Sequence, residues 1–247
     1  MMITKVRPDA PTVALAPPDR GGYVLLAGTV TGRQPFLPSR RMRKLIAALT
    51  PKVAELGRQL GVEADLFRAQ LVAPGMGHEL LEKRAGRVTP AHFDVVVLVR
   101  TDDPEAAKAL RDNATFKAIR SELAAASRHT HEIVARNVRR IADVDHDRPS
   151  VFLFNYFYAD DNEVLVPVWE HTARWFVDNT RLPDSVVLEP LVDESGEYGI
   201  INHASWPHYW TFLPHFIVRP SFRRFVLATF AANGVAAQPI LYRRVQR

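Results

Sequence analysis

Tyr198-Gly199-Ile200-Ile201-Asn202-His203-Ala204-Ser205-Trp206-Pro207-His208-Tyr209-Trp210 is apolar enough to be a buried strand, yet it ends in histidines and aromatics. The spacing predicts a strand over 198–205, and its period of two puts Asn202, Ala204 and Trp206 on one side and His203 and Ser205 on the other. Downstream, Tyr209 to Asn233 reads as mostly helical despite Pro214 and Pro220, and Gln238 to Val245 reads as a last strand. Upstream, Glu194-Ser195-Gly196-Glu197 reads as a hairpin turn, Ser185 to Val192 as a strand and Val164 to Thr180 as a helix. Before them, Val151 to Ala159 alternates Phe152, Phe154, Tyr156 and Tyr158 with Val151, Leu153, Asn155 and Phe157, so both of its faces are expected to be buried. The order around the opening stretch is β-α-β-β-α-β.

The N-terminal half repeats that order. Tyr23 to Val30, bounded by Gly32 and Pro35, is a strand. Ser39 is a plausible N-cap for a helix to Leu60 with a stop at Gly61, and Pro51 predicts a kink or a break near Thr50. Leu66 to Val72 follows as a strand, Pro74 to Ala91 as a long loop, and Phe93 to Val99 as a central strand. Thr101-Asp102-Asp103-Pro104-Glu105 opens a helix, in one piece or two, running through Ala106 to Ala126, and His131 to Ile141 closes the half as a strand. Offsets agree between the halves: Phe93 to Phe116 is 23 positions and Tyr198 to Phe222 is 24, then Phe116 to Ile133 is 17 and Phe222 to Ile240 is 18. We read an α+β chain of two tandem ferredoxin-like units, 21–145 and 150–247, after an extended arm over 1–20. A four-stranded sheet with helices on one face leaves the other bare, so the two sheets are expected to cover each other and form a barrel.

Composition narrows the chemistry. Cys is absent, which excludes disulfides, a thiolate nucleophile and Cys-ligated metal, and suits a reducing compartment. Residues 1–20 carry Pro8, Pro11, Pro17 and Pro18 and lack the apolar core of a secretory signal, and no stretch approaches a membrane span, so a cytoplasmic protein is expected. The net charge of +5 comes from short basic groups such as Arg139-Arg140 and Arg243-Arg244 rather than a stripe with interleaved aromatics, which points away from nucleic acid.

The duplicated pattern resembles the dimeric α+β barrel superfamily, which includes antibiotic-biosynthesis monooxygenases and haem-binding chlorite dismutase relatives. Asn202 followed by Trp206 is similar to the Asn and Trp of cofactor-independent, quinone-forming monooxygenases. Phe212 stands where those enzymes tend to have a Tyr, with Tyr209 nearby, and Arg223 and Arg224 correspond loosely to their Arg. The resemblance implies a monooxygenase or cyclase acting on an aromatic or polyketide-like substrate without a cofactor. Haem binding and a non-catalytic ligand-binding barrel are the alternatives.

On the residues themselves, an Asn202 amide facing a cleft suits hydrogen bonding to a substrate carbonyl or phenolate, and the Trp206 indole suits holding its ring. His203, His208 and His215 are the richest histidine cluster, with His208 the expected base. No Glu or Asp stands at ligand spacing beside them, so no metal site is expected. The helix bearing His171 and Trp175 is expected to roof the same cleft, with Asn155, Tyr156, Tyr158, His203, Tyr209 and His215 as further lining. Such a hollow suits a small apolar or aromatic ligand. Association into homo-oligomers is left open.

Overall fold

The computed structural model describes residues 13–31, 38–194 and 196–245. Eight strands close into one antiparallel barrel in the order β1-β3-β2-β8-β5-β7-β6-β4. They are β1 (Gly22–Thr29), β2 (Glu63–Val72), β3 (Val95–Thr101), β4 (His129–Ala142), β5 (Val151–Tyr158), β6 (Asp184–Pro190), β7 (Ile200–Trp206) and β8 (Ala236–Arg244). The first half supplies the run β4-β1-β3-β2 and the second the run β8-β5-β7-β6, and the runs are joined at their edges by the β2·β8 and β4·β6 ladders. Closure removes the free edges that each half would expose alone.

Side-chain alternation sorts the core into a lumen and outer layers. The lumen is filled from both halves, with Leu25, Phe67, Phe93, Phe152, Phe154, Tyr156, Tyr198 and Tyr242 all buried there. The first half's outer face is covered by α1 (Arg40–Leu60), α3 (Pro104–Leu110) and α4 (Ala114–Ala126). The second half's outer face is covered by α5 (Leu165–Thr180), α6 (Leu213–Val218), a π-helical segment (Phe222–Leu227) and α7 (Ala228–Ala232). A further short helix, α2 (His78–Lys83), lies in the stretch read as a loop. Six residues without an apolar period leave too little pattern to mark it.

Other local expectations change with context. α1 runs through Pro51 without a break. Pro51 frees the Ala47 carbonyl, while Thr50 Oγ1 and Lys52 Nζ bond the Ile46 and Ala48 carbonyls beside it, and the buried row Met42, Leu45, Leu49, Val53 and Leu56 anchors both halves of the helix. The region 209–233 is broken more than expected: a 3₁₀ turn Tyr209–Thr211, then α6, which ends at Val218 just before Pro220, then the π-helical segment and α7. The connection 191–199 is wider than a tight hairpin, and Ser195 lies outside the described residues, as do Gly32, Pro35 and residues 1–12. In the described part of the arm, Ala16 bridges to Arg140 and Pro17 O accepts from Arg140 Nε. No described helix is long and apolar enough to cross a membrane.

Candidate functional site

β7 sends its two faces to two different environments. Ile201 and His203 point into the lumen, whereas Ala204 and Trp206 pack with Phe212 and Leu153 under the helices. Asn202 shares the outer side with them. Its partner across the β5·β7 ladder is Asn155, and the Asn202 Oδ1 accepts from Ser185 Oγ at 2.6 Å. Asn155 Oδ1 is buried and has no hydrogen-bond partner. A pair of amides thus sits between two apolar clusters, with Phe157, Ile200 and Trp169 on one side and Leu153, Ala204 and Trp206 on the other.

The helix layer over these amides is aromatic. The Trp206 indole donates to Thr180 Oγ1 at 3.1 Å and lies 4.5 Å from the Phe212 ring. Trp175 donates to Ser221 Oγ at 3.0 Å and lies 5.2 Å from Phe222. His171, on α5, has its ring 4.9 Å from Phe225 in the π-helical segment, and its Nε2 is buried without a partner. Burial holds the His171 pKa below the ordinary imidazole value, because the cation is poorly solvated there. π-helical turns recur at functional sites, where they redirect side chains out of helical register.

The other residues singled out in the sequence fall elsewhere. Tyr156 and Tyr158 are lumen residues; Tyr156 is fully buried, which raises its pKa, and Tyr158 OH donates to Asp160. His208 is exposed at the end of β7. His215 Nδ1 accepts from Arg219 Nε at 2.7 Å, and the Arg243 guanidinium lies over the Tyr209 ring. The histidine cluster of the sequence is therefore dispersed: His203 enters the lumen, His208 is exposed past the end of β7, and His215 lies on α6 in the outer layer.

His203 has partners that sequence proximity did not suggest. Its ring stacks on Phe154 at 4.1 Å, its Nδ1 is 3.0 Å from Leu153 O, and its Nε2 is 2.8 Å from His146 Nε2. His146 Nδ1 is in turn 2.6 Å from Asp65 Oδ2, and Arg244 Nε is 2.6 Å from Asp65 Oδ1. Burial opposes ionisation of Asp65, but His146 and the Arg244 guanidinium outweigh it and hold its pKa below the usual carboxylate value. Burial, reinforced by His146, lowers the His203 pKa well below that of free imidazole. Tyr23, Glu63, Arg100 and Asp143 complete a mouth of about 20 Å³, room for roughly one water. Among the described residues, no group of three or more His, Cys, Asp or Glu side chains is placed to hold a metal ion. Asp65 precedes the strand start expected at Leu66, and His146 lies in the acidic joint between the halves. A charged residue alternating with Phe67 and Ala69 was the available signal.

No protein-family model matches the chain, and no curated protein matches it significantly. Solved structures do. An anthrone oxidase-like protein superposes with a TM-score of 0.64 at 10% identity, covering 92% of each chain. A protein of Lactobacillus acidophilus NCFM, provisionally named a monooxygenase, gives 0.51 at 6% identity over 91% of this chain and 94% of that one. A provisionally named monooxygenase of Fusobacterium nucleatum gives 0.52 at 9% identity over 92% and 94%. The chain has the fold of the dimeric α+β barrel proteins.

Proposed function

We propose that the protein is a cofactor-independent oxygenase of the monooxygenase type, built as a tandem repeat of one ferredoxin-like unit. Its substrate is an aromatic or polyketide-like molecule taken up between β5, β7 and the helices of the second half. The observation that carries the reading is the Asn155 amide, whose Oδ1 is buried and unpartnered beside Asn202 in an aromatic layer. A buried polar atom without a partner costs about 1–3 kcal/mol, a cost that a bound ligand can relieve.

The chemistry follows from a substrate of the anthrone kind. Loss of a proton from its reactive CH₂ leaves a carbanion conjugated as an enolate. The Asn155 and Asn202 Nδ2 groups donate to that oxygen, Asn155 Oδ1 accepts from a hydroxyl of the substrate, and His171 Nε2 accepts the proton. Molecular oxygen adds to the carbanion, the proton returns to form a hydroperoxide, and loss of water leaves the quinone carbonyl. The substrate is the reductant and oxygen the oxidant. A close apolar layer favours this course, since charge interactions strengthen where water is excluded.

The test uses an anthrone in aerated buffer, read by quinone absorbance and oxygen uptake. Asn155→Ala removes an atom that bonds nothing in the free protein, so thermal stability should be retained while turnover falls roughly 10²-fold. Asn202→Ala should lose activity to a similar degree, with some stability lost because Ser185 Oγ loses its acceptor. Unchanged turnover in both variants rules the reading out. The haem alternative has one atom in its favour, His171 Nε2. The Phe225 ring stands 4.9 Å from that imidazole and Trp169, Trp175 and Phe230 pack the same layer, so the residues as arranged do not fit a porphyrin.

A further inference from the structure

His146 belongs to the segment 143–150 that joins β4 to β5, and it is the wall between two hollows at the end of the barrel. One is the mouth already described. The other, of about 100 Å³, is lined by Asp147, Arg148, Ser150, Phe152, Arg243 and Arg244 with His146. Arg244 fastens the segment from β8, donating through Nη1 to His146 O at 2.8 Å and to Asp147 Oδ1 at 2.9 Å.

The partners of the two imidazoles fix their tautomers. Leu153 O can only accept, so its 3.0 Å contact places a hydrogen on His203 Nδ1. Asp65, ionised beside Arg244, also only accepts, so the 2.6 Å contact places a hydrogen on His146 Nδ1. In their neutral forms the two rings then turn bare Nε2 lone pairs toward each other across 2.8 Å. That contact is repulsive unless a cation stands in it. Two nitrogens bound to a tetrahedral metal at its usual bond length lie about 3.3 Å apart. The observed separation is that of an N–H···N hydrogen bond instead.

We propose that His146 and His203 hold one shared proton, and that this proton latches the segment 143–150 across the end of the barrel. With Asp65 ionised, the array carries one positive and one negative charge, and Arg244 is balanced by Asp147. Losing the proton opposes two lone pairs, and gaining a second opposes two imidazolium ions. Either change pushes the segment outward and joins the two hollows. The groups facing the pair are Tyr23 from β1, Glu63 and Asp65 from β2, Arg100 from β3, Asp143, Asp147 and Arg148 from the segment and Arg243 and Arg244 from β8; Phe152, Phe154 and Val186 from β5 and β6 contribute apolar surface. Burial of His203 resists the second proton.

Nitrogen-15 spectra of the full chain near neutral pH should show hydrogen on both Nδ1 atoms and one strongly downfield proton coupled to both Nε2 atoms. Hydrogen exchange of the peptide 143–150, corrected for intrinsic rate, should show protection that falls roughly tenfold as the shared proton is removed on the alkaline side. In His203→Gln the side-chain amide donates to His146 Nε2 without titrating, so the alkaline loss of protection should vanish. The proposal is overturned by an Nε2–H tautomer on either ring with no bridging proton, by exchange in the native chain that does not respond to pH, or by stoichiometric zinc uptake that displaces the proton.

Discussion

The half-buried His171 and the fully buried His203 are two imidazoles with opposite circumstances. His171 Nε2 has no partner, whereas His203 is bonded through both nitrogens. Burial lowers the His171 pKa, so its neutral form, the one that accepts a proton, persists to lower pH than in free imidazole. For the proposed oxygenation, kcat/KM should therefore hold steady as pH falls through the ordinary histidine range and decline only below it. His171→Gln should abolish that acid limb and lower kcat/KM by roughly 10²-fold. A limb at the ordinary histidine pKa that survives the substitution would assign the proton to another group. The sequence made His203 and His171 visible through their aromatic neighbours. It hid His146 and Asp65, because the contacts that give them meaning span 57 and 81 positions, and no periodicity within one element encodes such a distance.

Elements were legible where one face is buried and obscure where a neighbour decides the conformation. The cap at Ser39 and the helix opening over Thr101–Glu105 were plain in the residues: Ser39 Oγ accepts from Met42 N and Asp103 Oδ1 from Ala106 N. The break expected at Pro51 does not occur, because tertiary packing outweighs its local cost of about 3 kcal/mol. The π-helical segment had no signal, since an extra residue per turn leaves no distinct apolar period. Close packing of α3 on β1 does have a sequence trace, in Gly22. A Cβ there would lie 2.2 Å from the Asp103 carbonyl oxygen and 2.7 Å from Ala107 Cβ. The backbone at the helix N-terminus cannot step aside without losing its cap, so Gly22→Ala should destabilise the protein by about 1–3 kcal/mol, read as a lower denaturant midpoint with an unchanged slope. Gly61→Ala is the contrasting case. Its added Cβ meets nothing within 4 Å, and the cost there comes from the positive φ of 64° that lets Gly61 end α1.

At the scale of the whole molecule, the order of elements and the matched offsets made an eight-stranded body with helices outside legible before any geometry was known. The way the halves join was not legible, because edge pairing is set by backbone hydrogen bonds that any residue can make. Two sheets resting face to face would leave each half its own edges. Here β2 pairs with β8 and β4 with β6, and the lumen mixes Phe67 and Phe93 of the first half with Phe152, Phe154 and Tyr156 of the second. Neither half can open without breaking a ladder and exposing half of the lumen. Unfolding should accordingly be one cooperative event, and the distribution of tryptophan allows a clean test. All four tryptophans, Trp169, Trp175, Trp206 and Trp210, lie in the second half, so their fluorescence follows that half alone while far-ultraviolet circular dichroism follows both. The two denaturation curves should coincide in midpoint and slope. A fluorescence transition separated from the dichroism transition would mean that the halves are stabilised independently and that the two edge ladders add little to what each half has alone.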